Sequence, residues 1–335
     1  MNKLLVALGA SVLSPVLFAK PMIVTSINPV TMVVAAIGGD RINIEQIVSS
    51  TASPHDFALR PSDLNKISNA DTVVWVGESL ERFLEKPLEN AGKEESSIEW
   101  LALKGMKLQE FAGGHHDEHD EDNHGEHDKD HHDDHDEDHH DEHADHHDEH
   151  DADHHEEGHE GHHHDGVDPH VWLSPDNAKT LAEAVTKRLV SLDSANASYY
   201  QDNLAGFEKG LELKDAEIKA SLSTVQHVPY IVFHDGYGYF EKHYGLDHVG
   251  SVTVSPERKP GAKKIAEIRN MINRNKVQCV FSEPQFSPAI VKTLLDGTQV
   301  KTSPLDPLGS NVTINRNAYL DFLTQISGQF MSCLR

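Results

Sequence analysis

Short apolar runs alternate with stretches of helical period along most of this 335-residue chain. Residues 22–26 are a run short enough for a buried strand, and residues 28–38 carry helical spacing that stops at Gly38-Gly39. Residues 41–48 alternate polar and apolar, which reads as a second strand. A short helix over 61–68, a strand over 72–76 and a helix over 78–90, opened by Gly77, follow. Further on, Ser174-Pro175-Asp176 is a strong helix start: Ser as N-cap, Pro in the first turn, Asp at the positive end of the dipole. That helix runs to Leu192. A longer one covers 195–221, with Tyr199, Phe207, Leu211 and Ile218 at helical spacing. A second series then begins, with strands over 230–233, 249–254, 277–281 and 300–302 and helices over 237–244, 262–273, 287–295 and 317–334.

Strands that alternate with helices imply right-handed βαβ units, so the class is α/β with mainly parallel sheets. The rhythm divides into an N-terminal lobe over 20–193, a linking helix over 194–224 and a C-terminal lobe over 225–335, with a cleft between the lobes.

One stretch breaks the pattern. Residues 113–165 hold 20 of the chain's 26 His and 24 of its 55 acidic residues, with Lys129 as the one cation. The stretch has no Val, Ile, Leu or aromatic residue, so no apolar burial offsets the entropy of ordering it. A loop without a fold is therefore expected. A merely solvating run has no need of His at every second or third position. His115, His116, His119, His131, His132, His139, His140, His162, His163 and His164 read instead as members of an auxiliary metal-collecting set of many weak sites. Without the tract's charge of −23, the formal charge of −26 falls to −3, so the body has no basic face for nucleic acid.

Residues 1–19 read as a secretory signal: Lys3, an apolar run interrupted by Gly9, Ser11, Ser14 and Pro15, then Ala19. The run is too short and broken to anchor the chain in a membrane, so the mature protein is expected to be exported, soluble and monomeric. Cys279 and Cys333 are the only cysteines. An even count in an exported chain favours one disulfide over a pair of thiolate ligands.

Six His lie outside the tract. Three are expected in loops near strand carboxyl ends, in turns bearing Pro or Gly: Pro54-His55-Asp56, Asp168-Pro169-His170 and His234-Asp235-Gly236. Parallel sheets place ligands in such loops, and three neutral imidazoles suit Zn2+. Asp306, in Leu305-Asp306-Pro307-Leu308-Gly309, is the candidate fourth ligand or the partner that orients a ligand. His227, His243 and His248 have no comparable setting and are expected on the surface or in packing roles.

Ser53-Pro54-His55-Asp56 with Leu59-Arg60-Pro61-Ser62-Asp63, then Asp168-Pro169-His170-Val171-Trp172-Leu173, Phe233-His234-Asp235 and the Leu305–Gly309 turn resemble the metal-binding substrate-binding proteins of ABC transporters. The acidic His-rich stretch ahead of the second His narrows the resemblance to the periplasmic zinc-uptake proteins of ZnuA type. The resemblance spans essentially the whole mature chain. It implies two (β/α)4-type lobes, a rigid helix between them and one Zn2+ in the interlobe cleft, bound by His55, His170 and His234. It also implies location in the periplasm, delivery to a zinc-specific permease driven by a cytoplasmic ATPase, and a Cys279–Cys333 disulfide. Manganese-type relatives carry a carboxylate at the position of His234, so His there favours zinc. Zinc-type relatives often carry Glu directly before the first His. Pro54 stands there in this chain, which leaves the fourth position to water or Asp306.

Three rival readings compete. A three-His zinc with an open position also builds hydrolases, but outside the His-rich stretch H-E-x-x-H, G-x-S-x-G, Walker A and G-x-G-x-x-G runs are all absent, so no enzyme is expected. A manganese or iron carrier of the same fold is disfavoured by the three His. A periplasmic metal buffer would make the tract the whole function.

Overall fold

The structure is a computed structural model and describes residues 19–110, 166–253 and 260–335. The expected signal (apart from Ala19), the His-rich tract with its candidate His, and most of the loop at 254–260 lie outside the described residues.

The first series forms β1 (Met22–Thr25), α1 (Asn28–Gly38), β2 (Asn43–Gln46), α2 (Pro61–Asn69), β3 (Thr72–Trp75), α3 (Glu78–Glu81), α4 (Glu85–Asn90) and the two-residue β4 (Ile98–Glu99). Its four strands are parallel, in the order β2-β1-β3-β4. Two helices follow, α5 (Pro175–Leu192) and the 26-residue α6 (Ala197–Leu222). At 1.5 Å rise per residue α6 is about 39 Å long. The second series is β5 (Tyr230–His234), α7 (Gly238–Tyr244), β6 (Gly250–Thr253), α8 (Ala262–Arg274), β7 (Cys279–Ser282), α9 (Pro288–Leu295), β8 (Lys301–Pro304) and α10 (Ala318–Leu334). Its strands are also parallel, in the order β6-β5-β7-β8. The result is two four-stranded α/β lobes joined by one long helix.

Local chemistry explains most boundaries. Ser174 caps α5 by accepting from the Asn177 N–H at 3.3 Å, as its Ser-Pro-Asp start requires. α1 is buried on every side, which is why Asn-Pro-Val-Thr-Met-Val-Val-Ala-Ala-Ile-Gly has no charged face. On α6 the buried side is Tyr200, Asn203, Phe207, Leu211, Ile218 and Leu222, so Tyr200 takes the place expected for Tyr199.

The expected helix over 78–90 is two short helices separated by a 3-10 turn at Arg82–Leu84. Pro87 has no N–H for the Phe83 carbonyl and its ring clashes there, so the helix must restart. The Glu81 carboxylate also turns back to accept from the Val76 N–H at 2.7 Å. β4 was not foreseen, because two residues carry no periodicity.

The two sheets share one core. It runs from Val24 and Val74 through Trp172 and Tyr200 to Tyr230, Val232 and Phe330. α10 contributes by packing on α1 and α6 as well as on β8. The disulfide Cys279–Cys333 pins the end of α10 to the start of β7. A smaller cluster under α8 and α9 holds Ile231, Val252, Ile268, Ile272 and Val280. Lobes that share a core and a terminal helix resist wide opening.

Candidate metal centre

Three chain segments converge where the lobes meet. His55 comes from the loop after β2, where its N–H donates to Ser53 Oγ at 3.3 Å. His170 lies just before the 3-10 turn Val171–Leu173 that leads into α5. His234 is the last residue of β5. In the second sheet the chain passes from β5 to β6 on one side and then to β7 on the other. His234 therefore stands at the crevice where open parallel sheets bind ligands.

The Nε2 atoms of His170 and His234 are 3.1 Å apart, and those of His170 and His55 are 3.3 Å apart. A tetrahedral Zn2+ with Zn–N of about 2.0–2.1 Å places its ligand atoms about 3.3–3.4 Å from one another. The observed separations are close to that edge. Among the described residues this is the one group of three or more His, Cys, Asp or Glu with donor atoms all within 4.8 Å of one another.

Two of the three rings are fixed by the same device. His170 donates its backbone N–H and its Nδ1–H to Asp168 Oδ1, at 3.0 and 2.6 Å. His234 donates its backbone N–H and its Nδ1–H to Glu283 Oε1, at 3.3 and 2.6 Å. A carboxylate oxygen accepts and cannot donate, so the proton of the neutral ring is on Nδ1 and the Nε2 lone pair faces the centre. No carboxylate is paired with His55 among the described residues. His170 and His234 are buried and His55 is part-exposed.

Lone pairs at 3.1–3.3 Å repel one another unless something positive lies between them. The electrostatics follow. Burial, then the adjacent charges of His170 and His234, push the His55 imidazole well below its ordinary value. Burial also depresses His234, but the Glu283 carboxylate, backed by Asp168 and Asp235, outweighs it and the net direction is up. The centre is thus a cation site that can hold a proton or a metal, with one ring strongly disfavoured as the proton's carrier.

Trp172 packs 5.1 Å from the His170 ring, and Tyr237 and Phe286 pack 5.8 and 6.3 Å from the His234 ring. Pro54, Pro307 and Leu308 line the remaining space. The turn at 305–309 is tied to the other segments by Trp172 Nε1–H donating to Pro307 O at 2.8 Å, and by Asn28 Nδ2 donating to Leu308 O and Gly309 O, both at 3.0 Å.

Asp306 is fully buried in this turn. Its carboxylate accepts from Gln285 Nε2 at 2.9 Å, Leu308 N–H at 3.2 Å, and the N–H and hydroxyl of Ser310, both at 2.6 Å. It stands outside the donor cluster. The other three candidates fall elsewhere. His227 is exposed, His243 pairs with Asp215 at 2.6 Å and His248 with Glu241 at 2.8 Å.

Sequence reasoning missed Glu283. Its one signal is a carboxylate directly beyond an apolar strand and before a proline, Phe281-Ser282-Glu283-Pro284. Only the adjacency of β5 and β7 gives that signal meaning.

Residues 23–333 match the profile of the family described as zinc-uptake complex component A, periplasmic. Among similar proteins is the high-affinity zinc uptake system protein ZnuA of Haemophilus influenzae, 42% identical over 337 residues, covering 100% of this chain and 99% of that one. The protein of the same name from Yersinia pestis is 37% identical over 332 residues, covering 96% and 94%. Among solved structures, a ZnuA crystal structure superposes with a TM-score of 0.70 at 21% identity, covering 95% of this chain and 100% of that one. A zinc-bound ZnuA deletion mutant superposes at 0.69 with 22% identity, covering 94% and 98%. At such identities these superpositions speak to the fold.

Proposed function

The chain belongs to the periplasmic zinc-uptake family of ZnuA type, and from that premise we propose that its cargo is a single Zn2+ ion held by His55, His170 and His234 through Nε2. It is a binding protein of an ABC uptake system and not an enzyme. The observation that carries the ligand assignment is the pair of Nε2 separations, 3.1 and 3.3 Å, close to the edge of a zinc tetrahedron. The zinc is transported substrate and not a resident cofactor.

In this reading the leader directs export to the periplasm, and the protein passes its ion to a membrane permease coupled to a cytoplasmic ATPase. Among the described residues no helix is long and apolar enough to cross a membrane. The working divisions are an N-terminal lobe over 20–193, a linking helix over 194–224 and a C-terminal lobe over 225–335. The His-rich stretch over 113–165 serves as a set of weaker zinc sites that raise the supply of ion.

Binding needs three neutral Nε2 atoms. Asp168 and Glu283 hold two of them in place before the ion arrives, and His55 completes the set. The fourth position goes to water, or to Asp306 once it gives up hydrogen bonds within its turn. Three imidazoles with few oxygen donors suit Zn2+ better than Mn2+, which favours carboxylate and water ligands.

The test is zinc affinity by chelator competition for the mature chain and for His170→Ala. Removal of one ligand weakens the tight site by at least tenfold. An unchanged affinity in His170→Ala places the tight site elsewhere.

A further inference from the structure

Glu283 is buried beside the centre, on the loop that leaves β7. One oxygen, Oε1, takes both the backbone N–H and the ring Nδ1–H of His234, at 3.3 and 2.6 Å. The other, Oε2, is buried outside hydrogen-bond geometry, with the Tyr237 hydroxyl as the neutral group interacting with the carboxylate. A fully desolvated carboxylate with one oxygen unsatisfied is costly, on the order of several kcal/mol, unless a positive charge lies close by. No Lys or Arg is paired with Glu283 among the described residues. The charge it answers is therefore one that arrives through His234.

Asp168 repeats the arrangement on the opposite side. It is buried and takes the N–H and Nδ1–H of His170 on one oxygen. Two buried carboxylates thus flank three imidazoles. A divalent cation at the Nε2 atoms balances the formal charge of these two carboxylates, whereas a monovalent cation leaves the pair at about −1.

Local structure fixes Glu283 firmly. It follows Ser282, whose strand pairs with β8, and precedes Pro284, which restrains its backbone to extended conformations. Two residues on, Gln285 Nε2 donates to the Ser50 carbonyl of the His55-bearing loop at 3.2 Å and to Asp306 at 2.9 Å. Phe286 stacks on Phe233 at 5.2 Å. A single short segment therefore orients His234, ties the first lobe's loop and walls the cavity.

We propose that Glu283 is a positioning residue of the zinc site, acting through His234 to aim its Nε2 at the ion and supplying one of the two negative charges that back the ligand rings of a divalent cargo. The proposal rests on the reading of the His triad as the zinc site. Without the carboxylate the ring rotates freely and the tautomer with Nε2 protonated competes. Carboxylate partners of this kind contribute about 10–100-fold in metal affinity.

Glu283→Gln keeps an acceptor for Nδ1–H and removes the charge, while Glu283→Leu removes both. Each is measured in the full mature chain at one equivalent of metal: zinc affinity by chelator competition, the visible d–d absorption of Co2+ in place of zinc, and the melting temperature without metal. We expect zinc to bind about 10-fold more weakly in Glu283→Gln, with the intense tetrahedral Co2+ band retained, and about 100-fold more weakly in Glu283→Leu, with the band weakened or shifted. If Glu283→Leu lowers the melting temperature but leaves affinity within threefold and the Co2+ band unchanged, Glu283 is only a fold residue and the proposal is overturned. If Glu283→Gln matches wild type in both readouts, the charge is idle and the proposal is overturned as stated. His234→Ala separates the two levels. Tight zinc retained in that variant sinks the reading of the triad itself. Tight zinc lost there but kept in Glu283→Leu sinks only the role given to Glu283.

Discussion

His170 and His234 face each other with their Nε2 atoms 3.1 Å apart, each ring held from behind by a carboxylate. In the proposed site protons and zinc compete for these atoms. The Glu283 carboxylate overcomes burial and raises the His234 pKa above its ordinary value, so this ring takes up a proton at a higher pH than a free imidazole does. Zinc needs the deprotonated form. Affinity is therefore full above the raised pKa and falls as pH drops through it, by up to about tenfold per pH unit for one competing proton. His55, pushed well below its ordinary value, adds nothing to this loss near neutrality. Chelator competition between pH 8 and pH 5 measures it, and a flat profile would count against ligation by His234.

Glu81 makes a separate pH dependence in folding. Burial raises its carboxyl from 4.5 to about 7, against the lowering effects of Ser26 and the Val76 and Gly77 amides. A raised folded pKa means the stabilising term is complete below the unfolded value and is lost as pH rises through the folded one. The shift corresponds to about 3 kcal/mol. Glu81→Gln, which keeps an acceptor for Val76, is expected to gain about 2 kcal/mol more over wild type at pH 8 than at pH 5. Denaturant midpoints of the metal-free proteins give the number. Parallel profiles would mean that Glu81 is not carrying a buried charge.

Lys276 is the one non-glycine residue with positive φ among the described residues, at 51°. It follows the end of α8, where the Val277 N–H reaches back to Ile272 O at 3.1 Å, the closing bond of a helix stop that normally uses glycine. Lys276→Gly relieves about 1–2 kcal/mol of left-handed strain and loses part of a favourable dipole contact, for a net gain of about 0.5–1 kcal/mol. A fall in thermal stability would refute this account of the turn.

The Cys279–Cys333 bridge closes a loop of 54 residues, which the chain-entropy account values at about 4 kcal/mol. Cys279 begins β7, and Glu283 lies just beyond its other end. Replacing both cysteines by serine should cost about 3–4 kcal/mol in denaturant unfolding. Zinc affinity should stay within a few fold; a large loss would mean that the bridge also holds the site.

Much of this architecture is legible in the sequence because the chain punctuates itself. Gly38-Gly39, Pro61 and Ser174-Pro175 each mark a helix end by backbone chemistry, and α1, α2 and α5 start or stop there. The three convergent His were legible for the same reason, since each sits in or beside a turn bearing Pro or Gly. What escaped was relational. The partner of His234 is Glu283, 49 residues away on a neighbouring strand, and no local pattern announces that adjacency. The partner of His170 was in plain view two residues upstream, but Asp168 reads equally well as a turn former until its oxygen is placed 2.6 Å from Nδ1. Asp306 was legible as a conspicuous carboxylate. Its four hydrogen bonds to Gln285, Leu308 and Ser310 depend on the fold of the turn.

The most direct test of the central claim is a calorimetric zinc titration of the mature protein beside a variant lacking residues 113–165. The account predicts that one tight equivalent survives in the variant, held by His55, His170 and His234, while the weaker equivalents disappear. Loss of the tight equivalent along with the weak ones would contradict it, and would make the His-rich stretch the binding site.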